Sequence, residues 1–72
     1  MPKDKVKNQV RKLRFEHDEM TQQELANRVG CTRQTIVVLE QRKYVPSLSL
    51  AMRIAQTFGV TVDEVFELER DR

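Results

Sequence analysis

Four hydroxyl side chains divide this chain into short helices. Thr21, Thr32, Ser47 and Thr61 each stand just ahead of a run with apolar residues at helical spacing. A Ser or Thr placed there accepts a hydrogen bond from a first-turn amide that has no partner inside the helix. In Thr21-Gln22-Gln23-Glu24 and in Thr61-Val62-Asp63-Glu64 the residue three positions on is Glu. Its carboxylate can reach back to the amide of the cap residue, so each tetrapeptide is a capping box. Gly30 and Gly59 directly follow apolar stripes. Helices commonly close there on a left-handed residue, a conformation glycine adopts without strain.

The stripes between these signals give the expected elements. Val6, Val10 and Leu13 at i, i+4 and i+7 predict a first amphipathic helix from Lys3 to about His17, basic on its outer side, with Asp4 at its positive end. Leu25, Ala26 and Val29 line a second helix, and Ile36, Leu39 and Glu40 share one side of a third. Gln41–Val45 reads as a loop closed by Pro46, and a fourth helix turns Leu48, Ala51, Ile54, Ala55 and Phe58 inward with Leu50 beside them. A short fifth helix contains Val65 and Phe66, and the charged segment from Glu67 to Arg72 is expected to fray. Val60-Thr61-Val62 is too short for a strand. The expected fold is all-α, a compact bundle of about five short helices with its core within residues 5–67.

Composition narrows the function. A chain of 72 residues is expected to form one domain. One cysteine cannot form an internal disulfide, no apolar run reaches the ~18–20 residues of a membrane span, and no secretory h-region follows Met1, so a reduced cytoplasmic protein is expected. His17 is the sole histidine, and with Cys31 it is too little for a zinc site. Cys31 itself suits packing in a turn better than redox chemistry. There is no Gly-rich phosphate loop, nucleophile elbow or clustered carboxylate pair. No enzyme activity, metal or cofactor is expected. Charge, by contrast, is segregated: net +5 over residues 1–14, −4 over 15–27, +4 over 28–53 and −3 over 54–72. Such blocks either form a basic face for a polyanion or are ordinary solvated faces.

Residues 21–40 place two short helices around a Gly-containing turn, the helix-turn-helix arrangement whose second helix enters the DNA major groove. The residues around it sharpen the pattern. Met20-Thr21-Gln22-Gln23-Glu24-Leu25-Ala26, Val29-Gly30, Thr32-Arg33-Gln34-Thr35-Ile36, Leu39-Glu40, Lys43-Tyr44, Pro46-Ser47-Leu48 and Phe58-Gly59-Val60 together resemble the lambda-repressor/Cro-like, or XRE, helix-turn-helix family. The resemblance spans roughly residues 5–67. It implies a bundle that binds double-stranded operator DNA as a homodimer to regulate transcription, here read as repression. An antitoxin or adaptor that uses the same fold to bind another protein is the alternative.

With Ile36, Leu39 and Glu40 turned inward, the third helix presents Arg33, Gln34, Val37, Val38 and Gln41. Arg can bond two acceptors of guanine and Gln can pair with adenine. The resemblance makes Arg33, Gln34 and Val38 the base-reading positions, Val38 through thymine methyl groups; the other reading of the first two is a solvated first turn. Val37 is left open between base contact and partial burial. Gln22 is a phosphate ligand by resemblance. Thr32 and Thr35 can donate hydroxyls, and Arg42, Lys43 and Tyr44 form a loop that can clamp the backbone. Glu40 lies on the apolar side of its helix, where an unpaired carboxylate is costly. By resemblance its partner is Arg14, a structural ion pair. Val62, Val65, Phe66 and Leu68 offer more apolar surface than a terminal helix needs, which suggests a dimer interface. Two departures from the family stand out. The stretch from Leu13-Arg14 to Met20 is one residue longer than the common form, and Arg42 occupies a position where the family often has Gly.

Overall fold

The first helix begins at Val10, not at Lys3, and the segment ahead of it is a strand. The computed structural model describes residues 5–69, with elements in the order β1 (Lys5–Asn8), α1 (Val10–Glu16), α2 (Gln22–Val29), α3 (Arg33–Glu40), α4 (Leu48–Phe58), α5 (Val62–Val65) and β2 (Phe66–Glu69). β1 and β2 pair antiparallel in the register Lys5↔Glu69, Val6↔Leu68, Lys7↔Glu67 and Asn8↔Phe66. The all-α expectation is therefore corrected to a helical bundle carrying a two-stranded ribbon. Phe66 belongs to β2 rather than to α5, and Glu67–Glu69 are paired rather than frayed. Val6 does sit four residues before Val10, but Lys5-Val6-Lys7 also alternates with the period of a strand. Four residues cannot separate the two periods, and the partner that decides lies at the other end of the chain. Asp4 and residues 70–72, whose roles the sequence suggested, lie outside the described residues.

Asn8 fixes the change from strand to helix. Its Oδ1 accepts from the Val10 amide (3.2 Å), and its Nδ2 donates to the Leu39 carbonyl at the end of α3 (2.9 Å). The Gln9 amide donates to Val65 O (2.9 Å), so the start of α1 is tied to the end of α5. All five helices supply the core, which includes Val10, Leu25, Ile36, Leu39, Ile54 and Val65 at 1% exposure or less. Burying each such side chain contributes ~1.5–3 kcal/mol. Leu48, expected inward, is 71% exposed. It lies in the first turn of α4 at the margin of the stripe, and Leu50, four residues before Ile54, takes the inner place.

The caps form as their spacing requires. Glu24 N donates to Thr21 Oγ1 (3.0 Å) while Thr21 N donates to Glu24 Oε1 (3.1 Å), and Thr61 and Glu64 repeat the arrangement. The Thr21 amide, then its hydroxyl, hold the Glu24 carboxyl below its ordinary value. The stabilisation this gives is present above the unfolded carboxyl's pKa and is lost as pH falls through the folded one. Thr32 and Ser47 accept from Thr35 N and Leu50 N.

Three helices close on a left-handed residue. Gly30 (φ 76°) ends α2 and Gly59 (φ 68°) ends α4. After α3 the position is filled by Arg42 (φ 62°), with Arg42 N bonded to Leu39 O and Lys43 N to Val38 O, both 3.0 Å. That is a Schellman closure built on a residue that has a Cβ. The additional residue of the first turn is accommodated by Asp18 (φ 57°) and Glu19 (φ 53°), both left-handed. Asp tolerates this region better than Glu, because its short side chain can bond locally. Replacing Glu19 by Gly should raise stability by about 1 kcal/mol and the thermal midpoint by ~4–8 °C. An unchanged or lowered midpoint in a calorimetric melt would show that the turn is not strained.

Candidate nucleic-acid interface

α2 and α3 pack through Leu25, Ala26 and Val29 against Ile36 and Leu39, all at or below 1% exposure. With that side of α3 inside, Arg33, Gln34 and Gln41 are exposed and Val37 and Val38 are half-buried. An Arg and a Gln therefore stand side by side on the first turn, followed by a short apolar step.

Thr32 caps α3, and its Oγ1 lies 3.0 Å from Thr35 Oγ1. One of the two hydroxyl protons joins these oxygens and the other remains free to donate outward. Gln22, at the start of α2, is turned toward Glu40: its Nε2 donates to Glu40 Oε1 at 3.1 Å. One N–H of that amide and its carbonyl oxygen remain for other partners. The loop residues Arg42, Lys43 and Tyr44 are exposed.

Behind this surface lies a network centred on Glu40. Arg14 donates from Nε to Oε2 (2.7 Å) and from Nη2 to Oε1 (3.0 Å), a planar two-bond match. Its Nη1 donates to Met20 O at 2.8 Å, while Met20 N returns to Arg14 O at 2.9 Å. The longer first turn thus leaves Arg14 within reach of Glu40, because two left-handed residues return the chain to it. The side chains of Arg14 and Glu40 are 13% and 8% exposed, so the pair is largely removed from water. It joins α1, the start of α2 and the end of α3.

Arg11 is a cation to which the helix-turn-helix motif does not point. It borders the same depression as Gln22, Val37 and Gln41, and its guanidinium lies 5.8 Å from the Phe15 ring centre. The one signal for it in the sequence is the basic outer face of α1. Elsewhere, His17 stays exposed, with Nδ1 2.9 Å from Leu13 O and its ring 5.0 Å from that of Phe58. Cys31 packs half-buried against the core, and desolvation pushes its thiol up. Among the described residues no group of three or more His, Cys, Asp or Glu could hold a metal ion, and no helix is long and apolar enough to cross a membrane.

Of the four residues suggested for a dimer interface, Val65 is 1% exposed and belongs to the chain's own core, which leaves it no surface to offer a partner. Val62 and Phe66 are half-buried against that core, and Leu68 is 51% exposed, opposite Val6 on the ribbon.

The helix-turn-helix family profile matches residues 10–65, which takes in α1 to α5 and so the whole of this surface. The chain is 44% identical over 66 residues to an uncharacterised HTH-type transcriptional regulator of Methanocaldococcus jannaschii, an alignment covering 92% of this chain and 98% of that one. It is 53% identical over 53 residues to one of Methanothermobacter thermautotrophicus, covering 72% and 77%. A relative in Bacillus subtilis, also named as an HTH-type transcriptional regulator, is 41% identical over 66 residues, covering 92% and 98%.

Replacing Glu40 by Ala strands the Arg14 guanidinium and should cost about 3 kcal/mol in urea unfolding, while the pair Arg14→Met with Glu40→Leu should recover most of it. A Glu40→Ala loss under about 1 kcal/mol would place the pair with weak surface bridges instead.

Proposed function

Because this chain belongs to the XRE-type helix-turn-helix family, we propose that it is a sequence-specific DNA-binding transcriptional regulator that lays α3 in the major groove. The observation that carries this is the first turn of α3, where Arg33 and Gln34 are both exposed while Ile36 and Leu39 anchor the helix behind them. Arg33 reads guanine and Gln34 adenine, and Val38 meets a thymine methyl. Gln22, with its remaining amide proton, and the free hydroxyl proton of the Thr32–Thr35 pair reach phosphates on the flanks of the groove. Arg42, Lys43 and Tyr44 clamp the backbone beyond the end of α3. The sign of regulation we assign is repression, through occupation of an operator, in the cytoplasm where the DNA lies.

Leu68, with Val6 opposite it, Phe66 on the same strand and Val62 in the helix before it, is the apolar surface for a homodimer. A two-fold dimer sets the two recognition helices ~34 Å apart on a near-palindromic site. A protein partner is the second reading, favoured by the exposed Val45 (61%), Leu48 (71%) and Met52 (46%) along α4 and the loop before it.

Selection of bound duplexes from a random pool should yield a two-fold site for the wild type. Arg33→Ala and Gln34→Ala should each relax one position per half-site at ~1–3 kcal/mol; a pool without enrichment would favour the protein-partner role. Sedimentation of the free protein, with Leu68→Glu as the disrupting variant, should show a dimer that the variant loses. Arg42→Gly should gain stability from the relieved left-handed residue yet bind DNA more weakly. A variant with neither change would remove the case for Arg42.

A further inference from the structure

The DNA-facing residues assigned above lie on α2, α3 and the loop that follows. The ribbon adds a surface they do not include. β1 and the loop after α3 are the two walls of a cleft of about 660 Å³. One wall carries Lys5 and Lys7 and the other Arg42 and Lys43, with Glu69 as the one carboxylate lining it. Lys5 and Lys7 lie two residues apart on a strand, so both project from the same face of the ribbon. Lys5, Arg42 and Lys43 are exposed. The Lys7 ammonium lies 3.0 Å from Glu67, whose side chain is 67% exposed, and a solvated pair of this kind is readily exchanged for a stronger anion.

Arg42 and Lys43 follow α3 with no intervening element. A sugar–phosphate strand on the flank of a groove filled by α3 would pass along them and continue into this cleft. The cations line an open trough and are not deeply buried, which suits an extended polyanion better than a small enclosed one. We propose that the cleft is a further seat for the DNA backbone, with Lys5 and Lys7 of β1 forming its second wall. The proposal rests on the DNA-binding role stated above. It gives the ribbon a function in affinity that is independent of base sequence, since neutralising phosphates raises binding to every duplex and steepens its dependence on salt.

The test measures binding of the full chain to its selected site and to a duplex of arbitrary sequence across a range of salt. Lys5→Gln combined with Lys7→Gln should weaken both complexes alike and lower the slope of log affinity against log salt by ~0.9 for each phosphate that is no longer neutralised. On that basis the wild-type advantage shrinks about tenfold between ~50 and ~200 mM salt. Glu69→Gln should act in the opposite direction and tighten both complexes, a gain that damaged folding cannot produce. If the double variant keeps the wild-type slope, or if it weakens the selected site alone, the cleft does not hold the backbone while the role of α3 stands. If the wild type binds neither duplex, the DNA-binding role falls and the cleft proposal falls with it.

Discussion

The Glu40 carboxylate holds three donors, two from Arg14 and one from Gln22, at the point where α1, α2 and α3 meet. A largely buried ion pair contributes little net stability compared with apolar residues of the same shape, because both charges must leave water. Its value lies in direction. Two parallel N–H···O bonds fix the guanidinium plane against the carboxylate, so α3 cannot slide or rotate on α1 without breaking both, and the Gln22 bond ties it to the start of α2. The helix that exposes Arg33 and Gln34 is thereby clamped at its far end, in addition to its anchors Ile36 and Leu39. The same Arg14 bonds Met20 O, so the longer turn between α1 and α2 is held by the residue that orients α3.

Among the described residues, three with side chains, Asp18, Glu19 and Arg42, share the left-handed conformation with Gly30 and Gly59. The helices closed by Gly30 and Gly59 need no side chain at those positions. At Arg42 the same closure carries a guanidinium at the exit of α3, beside Lys43 and opposite Lys5 and Lys7. A left-handed residue with a Cβ costs a little stability that glycine at the same position would not. Asp18 and Glu19 have no comparable partner, and there the strain follows from the length of the turn alone.

The ribbon changes the character of both ends of the described chain. It converts the approach to α1 into a strand, orders Glu67–Glu69, and leaves Leu68 and Val6 paired on one face while Lys5 and Lys7 occupy the other. Glu69 and Glu67 stand opposite Lys5 and Lys7, so one register sets an apolar pair on one side of the ribbon and a row of opposed charges on the other. A slip of one residue would interchange them.

Caps, stops and most of the core were legible in the residues, because each depends on partners three or four positions away. A Thr accepts from the amide three residues on whatever the rest of the chain does, and Leu25 with Val29 makes a stripe by periodicity alone. The pairing of Arg14 with Glu40, separated by 26 positions, was available only through likeness to a family. Where interactions are non-local, the residues were silent or misleading. Val6 fits a helix as well as a strand, Val65 resembles spare apolar surface until α5 packs on α4, and Arg11 is one cation among several until α3 lies beside it. Local hydrogen bonding and helical period therefore determined α2, α3 and α4, their ends and the outward side of α3. Tertiary packing decided the ribbon, the carboxylate-centred clamp and the four-cation cleft, because their energies depend on interactions between segments far apart in the chain.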